Sequence, residues 1–167
     1  IILSKSDRNG VCEIANDNAE GQIILSGDIK AIESLKLDLN EKKIKSIPLK
    51  VSAPFHCSLM KPAAEKMKEK INNINFSNPL FKIVNNVTAK EESDPTKIKE
   101  LLIEQIFSTV KWRESLINMS KVGVSNFIEI GPGKVLTGMV KRTIKNVNHF
   151  SINSIADIKN LINEFKK

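Results

Sequence analysis

The stretch Phe127-Ile128-Glu129-Ile130-Gly131-Pro132-Gly133-Lys134-Val135-Leu136-Thr137-Gly138 reads as a strand, a tight turn and the start of a helix. Phe127 to Ile130 suits a strand, Gly131-Pro132-Gly133 stops it, and Val135, Leu136, Met139 and Val140 supply an apolar helix face. The pattern repeats downstream. A short strand is predicted near Phe150-Ser151-Ile152, and a helix is predicted from Ser154 with Ile155, Ile158, Ile162 and Phe165 on its buried face. Strands alternating with helices imply a largely parallel sheet covered by helices, that is, an α/β fold.

Upstream, Asp94-Pro95 opens a helix through Leu101, Leu102 and Ile106, and Val110, Trp112, Leu116, Ile117 and Met119 suggest another. Phe81 to Val87 has the composition of a strand. Val51 to Cys57 reads as an extended segment that runs into a helix at Ser58 or Leu59, with Met60, Ala63, Ala64, Met67 and Ile71 on one face. Pro62 falls in its first turn, where a missing amide hydrogen costs little. The texture before residue 50 is different. Val11–Ala15 and Gln22–Ser26 read as strands separated by the turn-favouring run Asn16 to Gly21. Ile29, Ile32, Leu35 and Leu39 then give a helix, with cap residues at Ser26-Gly27-Asp28 and a stop at Asn40. Ile44–Leu49, broken by Pro48, is an edge strand or an extended connection. A small α+β unit over 1–49 and a second unit over 50–167 are expected, with the boundary near Leu49-Lys50.

The chain has 167 residues, 41 % of them apolar, enough to bury a core and to exclude a disordered chain. Lys and Arg number 26 against 19 Asp and Glu, a formal charge of +7 at pH 7 that favours an anionic partner. Because the lysines are spread along the whole chain, general solvation accounts for much of that charge. With one Trp, no Tyr and no recognisable DNA- or RNA-binding motif, no nucleic-acid partner is expected. No apolar run reaches the roughly 18 residues that cross a bilayer, and Ile1-Ile2-Leu3-Ser4-Lys5 lacks the regions of a signal peptide, so a cytoplasmic chain without membrane contact is expected. Cys12 and Cys57 are far apart and form no CxxC pair, which indicates neither a disulfide framework nor a metal site. No cofactor is implied.

An imidazole base near neutral pH must be His56 or His149. His56, between an extended segment and a helix, stands where α/β sheets present functional groups to a crevice. His149, in the polar run Asn146-Val147-Asn148, reads as a surface residue. Gly131-Pro132-Gly133-Lys134 is not the GxxxxGK[ST] phosphate loop and is taken as a strand-to-helix turn. Cys57 beside His56 suggests a Cys–His pair, although neighbouring side chains point apart. Glu91, Glu92 and Asp94 look like paired carboxylates, but a solvated loop leading to a helix explains them better.

The run Val51-Ser52-Ala53-Pro54-Phe55-His56-Cys57-Ser58-Leu59-Met60-Lys61-Pro62-Ala63 resembles the histidine segment of the malonyl-CoA:acyl carrier protein transacylases and of the acyltransferase domains of fatty-acid and polyketide synthases. It is joined, in the family's order, by Ile14-Ala15-Asn16-Asp17-Asn18 with Gly21-Gln22, by Val84-Asn85-Asn86-Val87, by Gln105 ahead of Val110-Lys111-Trp112, and by Phe127 to Gly138. The resemblance covers nearly the whole chain and places it as the C-terminal half, or somewhat more, of the family's usual length. It implies the C-terminal part of an α/β-hydrolase-like core with a parallel sheet over 50–167, plus a truncated ferredoxin-like small subdomain over 1–49.

It also implies an activity, the transfer of malonyl from coenzyme A to the phosphopantetheine thiol of acyl carrier protein in fatty acid biosynthesis. In the family the reaction passes through a seryl acyl-enzyme, which splits one difficult step into two easier ones. By the resemblance His56 is the general base, and the main-chain carbonyl of Gln105 fixes its ring through the other nitrogen. Phe55 narrows the space beside the α-carbon and favours malonyl over methylmalonyl. Asn16, Asn18 and Gln22 line the thioester entrance, with ordinary loop and strand-end roles as an equal alternative. Lys42, Lys43 and Lys45, with Lys50 nearby, fall where relatives carry basic residues facing the acidic carrier protein or coenzyme A phosphates; a solvated helix end accounts for them equally.

No Gly-x-Ser-x-Gly occurs in the chain. The family's nucleophile, its carboxylate-binding arginine and its glutamine-containing oxyanion segment belong to the part the resemblance does not reach. With Ile as the first residue, the expectation is a fragment, a split-gene product that needs a separate N-terminal half, or a decayed gene. The alternative is a catalytically incomplete remnant that binds acyl carrier protein or a coenzyme A thioester without reacting.

Overall fold

The computed structural model describes residues 10–166. Strands β1 (Cys12–Ala19) and β2 (Gln22–Gly27) pair as an antiparallel hairpin and lead into helix α1 (Ile29–Glu41). The run expected as a loop, Asn16 to Gly21, is therefore strand as far as Ala19, with the register slipping between Ile14 and Asn16 and between Asp17 and Ala19. Partners from far along the chain override the turn preference of these residues. Asp17 donates its N–H to the Val110 carbonyl at 2.9 Å, and Val110 donates its own to Ala15 at 2.8 Å, a parallel bridge opposite Asn16. Asp28 precedes α1 as expected but spends its carboxylate elsewhere, accepting the Val11 N–H at 2.7 Å while its own N–H goes to the Val11 carbonyl at 2.8 Å. Ala31 and Leu35 are the buried residues of α1.

Of the two readings of Ile44–Leu49, the connection holds and the edge strand does not, because no strand among the described residues pairs with it. The extended segment expected at Val51–Cys57 is instead a succession of bends and turns. Phe55 donates its N–H to the Ala53 carbonyl at 3.0 Å and the Cys57 thiol donates to the Pro54 carbonyl at 3.1 Å, so the chain folds back on itself. One 3-10 turn (Ser58–Met60) then enters helix α2 (Lys61–Asn72), with Pro62 in its first turn. Ala64 is buried on α2, whereas Met67, expected on the packed face, is exposed.

The strand expected over Phe81–Val87 shrinks to β3 (Ile83–Val84), paired antiparallel with β4 (Glu91–Glu92). The Asn85 side-chain oxygen accepts the N–H groups of Val87 and Thr88 at 3.1 and 2.8 Å and bends the chain out of the ladder, the usual way asparagine builds a turn. Glu91 and Glu92 thus stand on a short strand rather than in a loop, and Glu91 pairs with Lys82 at 2.6 Å. Helix α3 (Pro95–Glu104) opens at Asp94, which accepts the Thr96 N–H at 2.9 Å. Helix α4 (Trp112–Lys121) buries Ser115 and Leu116.

Strand β5 (Asn126–Ile130), helix α5 (Val135–Thr143), strand β6 (Asn148–Ile152) and helix α6 (Ile155–Phe165) complete the order. β5 and β6 run parallel, in register from Asn126–Asn148 to Ile130–Ile152, which gives the βαβ arrangement read from the sequence. The expected extent and cover of the sheet are not found among the described residues. The parallel sheet has two strands, Ile130 is 81 % exposed, and Ile155, Ile158, Ile162 and Phe165 of α6 are exposed rather than buried. These side chains have the spacing of a packed face, yet among the described residues that face is covered only in part: Phe165 meets Phe150 of β6 with ring centroids 5.7 Å apart, and the three isoleucines stay exposed. No helix among the described residues is long and apolar enough to cross a membrane.

Candidate active site

His56 sits at φ +58°, a left-handed conformation that side chains with a Cβ seldom adopt. It is partly exposed, while Cys57 beside it is fully buried with its thiol on Pro54. Consecutive side chains therefore diverge, and Cys57 is a packing residue. Nδ1 of His56 lies 2.9 Å from the Gln105 main-chain oxygen, across 49 positions of sequence. A carbonyl only accepts, so Nδ1 carries the hydrogen and the lone pair of Nε2 is left to take a proton. Gln105 directly follows α3, and its side-chain oxygen meets Nδ2 of Asn86 at 3.4 Å, while the Asn86 carbonyl accepts the Lys111 N–H at 2.9 Å.

The strand-to-helix turn at Gly131–Lys134 is closed by the chain itself. Glu129 accepts the Leu136 N–H at 3.1 Å and the Thr137 N–H and hydroxyl at 2.7 and 2.6 Å, and the Gly133 N–H donates to Asn153 at 2.7 Å. A phosphate-loop reading has no support here, because these amides are already occupied by the protein's own oxygens. The Thr137 hydroxyl, then the amides of Thr137 and Leu136, hold the Glu129 carboxyl below its ordinary range. A depressed carboxylate contributes stability above its unfolded-state value, about 4.3 for Glu, and that contribution is lost as the pH falls through the folded value. We expect Glu129→Gln to unfold more readily at pH 7 and to lose less further stability on acidification than the parent, as read by denaturant unfolding at a series of pH values. Parallel losses in both proteins would contradict this.

The remaining expected residues fall in several places. Phe55, directly before His56, is 46 % exposed. Asn18 is buried, Asn16 lies on the bridge to Val110, and the Gln22 side-chain oxygen accepts from Arg142 at 2.6 Å. Lys42, Lys43 and Lys45 are exposed just beyond the end of α1. His149 is partly exposed on β6, opposite Phe127. The structure thus brings His56 and Gln105 together, whereas Asn16 pairs with Ile24 and bridges to Val110, and Gln22 pairs with Ala19 and accepts from Arg142. Sequence reading assigned no role to Asn86, Glu13 or Ser58, although Asn86 and Ser58 lie within the runs quoted for the resemblance. For Glu13 the sequence offered one acidic residue inside the apolar stretch of β1.

No family model matches the chain. It is 36 % identical to the malonyl CoA-acyl carrier protein transacylase of Haemophilus influenzae, over 96 % of this chain and 52 % of that protein. To the protein of the same name in Bacillus subtilis it is 38 % identical, over 97 % of this chain and 51 % of that one. The crystal structure of the acyl-carrier-protein S-malonyltransferase from Bartonella henselae matches with a TM-score of 0.93 at 38 % identity, over 99 % of this chain and 53 % of that one. The likeness is to acyltransferases. Among them it is to the malonyl-CoA:acyl carrier protein transacylases, as the sequence motifs suggest, and the chain spans about half the length of the curated relatives it matches.

Proposed function

We propose that this chain supplies the general-base part of a malonyl-CoA:acyl carrier protein transacylase site, whose serine nucleophile lies outside these residues. The observation that carries the reading is the 2.9 Å contact between His56 Nδ1 and the Gln105 carbonyl, which fixes the tautomer a base requires. Nε2 of His56 takes the serine proton as the serine oxygen attacks the malonyl thioester carbonyl. It returns that proton to the departing coenzyme A sulfur as the carbon–sulfur bond breaks. In the second half the imidazole takes the proton of the phosphopantetheine thiol, the sulfur attacks the malonyl ester, and the serine oxygen recovers the proton. Phe55 narrows the space beside the malonyl α-carbon. Asn16, Asn18 and Gln22 belong to the side from which the thioester enters. Residues 1–49 are read as a truncated ferredoxin-like subdomain and 50–167 as the C-terminal part of an α/β-hydrolase-like core, in a cytoplasmic protein of fatty acid biosynthesis.

The test is transfer of radiolabelled malonyl from coenzyme A to holo acyl carrier protein, by this chain alone and by this chain mixed with the N-terminal half of a matched relative. Transfer in the mixture alone supports the reading. Transfer by the chain alone, or none in a mixture whose halves associate, overturns it, the second outcome in favour of a binding remnant.

Exposed lysines after α1 suit an acidic carrier protein, because clustered charge raises encounter rates with a macromolecular partner. Changing Lys42, Lys43 and Lys45 together to Glu is expected to lower kcat/KM for carrier protein by about tenfold or more at low salt. The loss for malonyl-CoA should be smaller; equal losses for the two substrates would remove the docking role.

A further inference from the structure

Glu13 on β1 grips the segment that carries His56. Its Oε2 accepts the Ser58 N–H at 2.8 Å and its Oε1 accepts the Ser58 hydroxyl at 2.6 Å, across 45 positions of sequence. Ser58 stands two residues after His56 and begins the 3-10 turn, where an amide has no partner within the helix and a carboxylate is favoured by the helix dipole. His56 between these anchors has a φ of +58°, a conformation that persists only where the surroundings over-determine it. The same strand also holds the neighbourhood of Gln105. The Thr109 hydroxyl donates to the Ile14 carbonyl at 2.6 Å, and Val110 is bonded on both sides, to Ala15 and Asp17.

We infer that Glu13 is a positioning residue for His56, and that β1 acts as a strut setting the imidazole against the Gln105 carbonyl. One end of the strut, Glu13, fixes the histidine turn through Ser58. Its middle, Ile14 to Asp17, fixes the segment that follows Gln105. Removing the carboxylate frees the His56 turn while leaving Gln105 where it is, so the Nδ1 contact lengthens and the tautomer lock is lost. The inference deepens the reading of His56 as the base and rests on it.

The test is nitrogen NMR of the whole protein labelled with 15N-histidine, together with steady-state malonyl transfer. In the parent, His56 is expected as a single tautomer protonated on Nδ1. In Glu13→Ala it becomes a mixture, and kcat falls about 10- to 100-fold with KM for malonyl-CoA nearly unchanged, since small misplacements of a reacting group cost rates of that size. Glu13→Gln keeps an oxygen for the Ser58 N–H and an amide to donate to the Ser58 hydroxyl, and it should restore most of the single tautomer. Ser58→Ala removes only the 2.6 Å bond, gives an intermediate result and remains informative if Glu13→Ala does not fold. A single Nδ1–H tautomer and parental kcat in folded Glu13→Ala, or in Ser58→Ala where Glu13→Ala fails to fold, overturn the inference. If the tautomer depends on Glu13 while His56→Ala still transfers malonyl, the positioning stands and the role of His56 as base falls.

Discussion

His56→Ala is expected to lower malonyl transfer by about 10²- to 10⁴-fold in the protein that carries the nucleophile, with the fold retained. On the proposed reading, removing the base leaves the serine hydroxyl with no acceptor in the first half of the reaction and the phosphopantetheine thiol with none in the second. The fold survives because the ring is partly exposed and its deletion opens no closed cavity. Gln105, whose carbonyl loses its donor, is likewise a partly exposed residue. Substrate affinity should change little, so the loss appears in kcat and not in KM. Full activity in a folded His56→Ala protein would remove His56 from the reaction.

The largest expected effect on stability is at Gly27, the last residue of β2. A Cβ there would lie 1.9 Å from the Val11 carbonyl oxygen, 2.7 Å from its carbon and 3.0 Å from the Cys12 Cα. All three are backbone atoms, and Val11 is held by Asp28 on both sides, its N–H on the Asp28 carboxylate and its carbonyl on the Asp28 N–H. Gly27→Ala must therefore push β1 and β2 apart where the hairpin meets α1. A loss of about 3 kcal/mol or more is expected, the upper end for overpacking, since backbone cannot swing aside as a side chain does. Gly21→Ala is the control. Gly21 has nothing within 4 Å of an added Cβ, and only its φ of +72° is strained by alanine, for about 1–2 kcal/mol. Denaturant unfolding of both proteins reads the difference, and equal losses would contradict the close approach at Gly27.

What the sequence reveals and what it hides divide along local against distant causes. The β5–turn–α5 unit, the start of α3 at Asp94 and the cap of α6 at Ser154 were legible, because spacing and cap chemistry lie within a few residues of one another. The strand through Asn16 and Asp17 was hidden, since its partner Val110 is far along the chain. The turn at His56 was hidden for a related reason: Val51–Cys57 has the composition of an extended segment, and the Glu13 carboxylate that anchors its end is 45 positions away. Asn85 did carry a local signal for a turn, and its apolar neighbours Val84 and Val87 masked it. The apolar spacing of α6 correctly marks a face made for packing, but spacing cannot say whether the cover lies within the same residues. The approach of Gln105 to His56 came from family resemblance alone, because no periodicity relates residues 49 apart.

The most direct measurement is peptide mass spectrometry of the whole protein after brief exposure to malonyl-CoA, in the parent and in His56→Ala. A chain that contributes the base and not the nucleophile predicts a malonyl ester on a serine outside residues 1–167, with the adduct strongly reduced in His56→Ala. A malonyl group on Cys57 or on a serine within these residues, or an adduct that forms as quickly without His56, would contradict it.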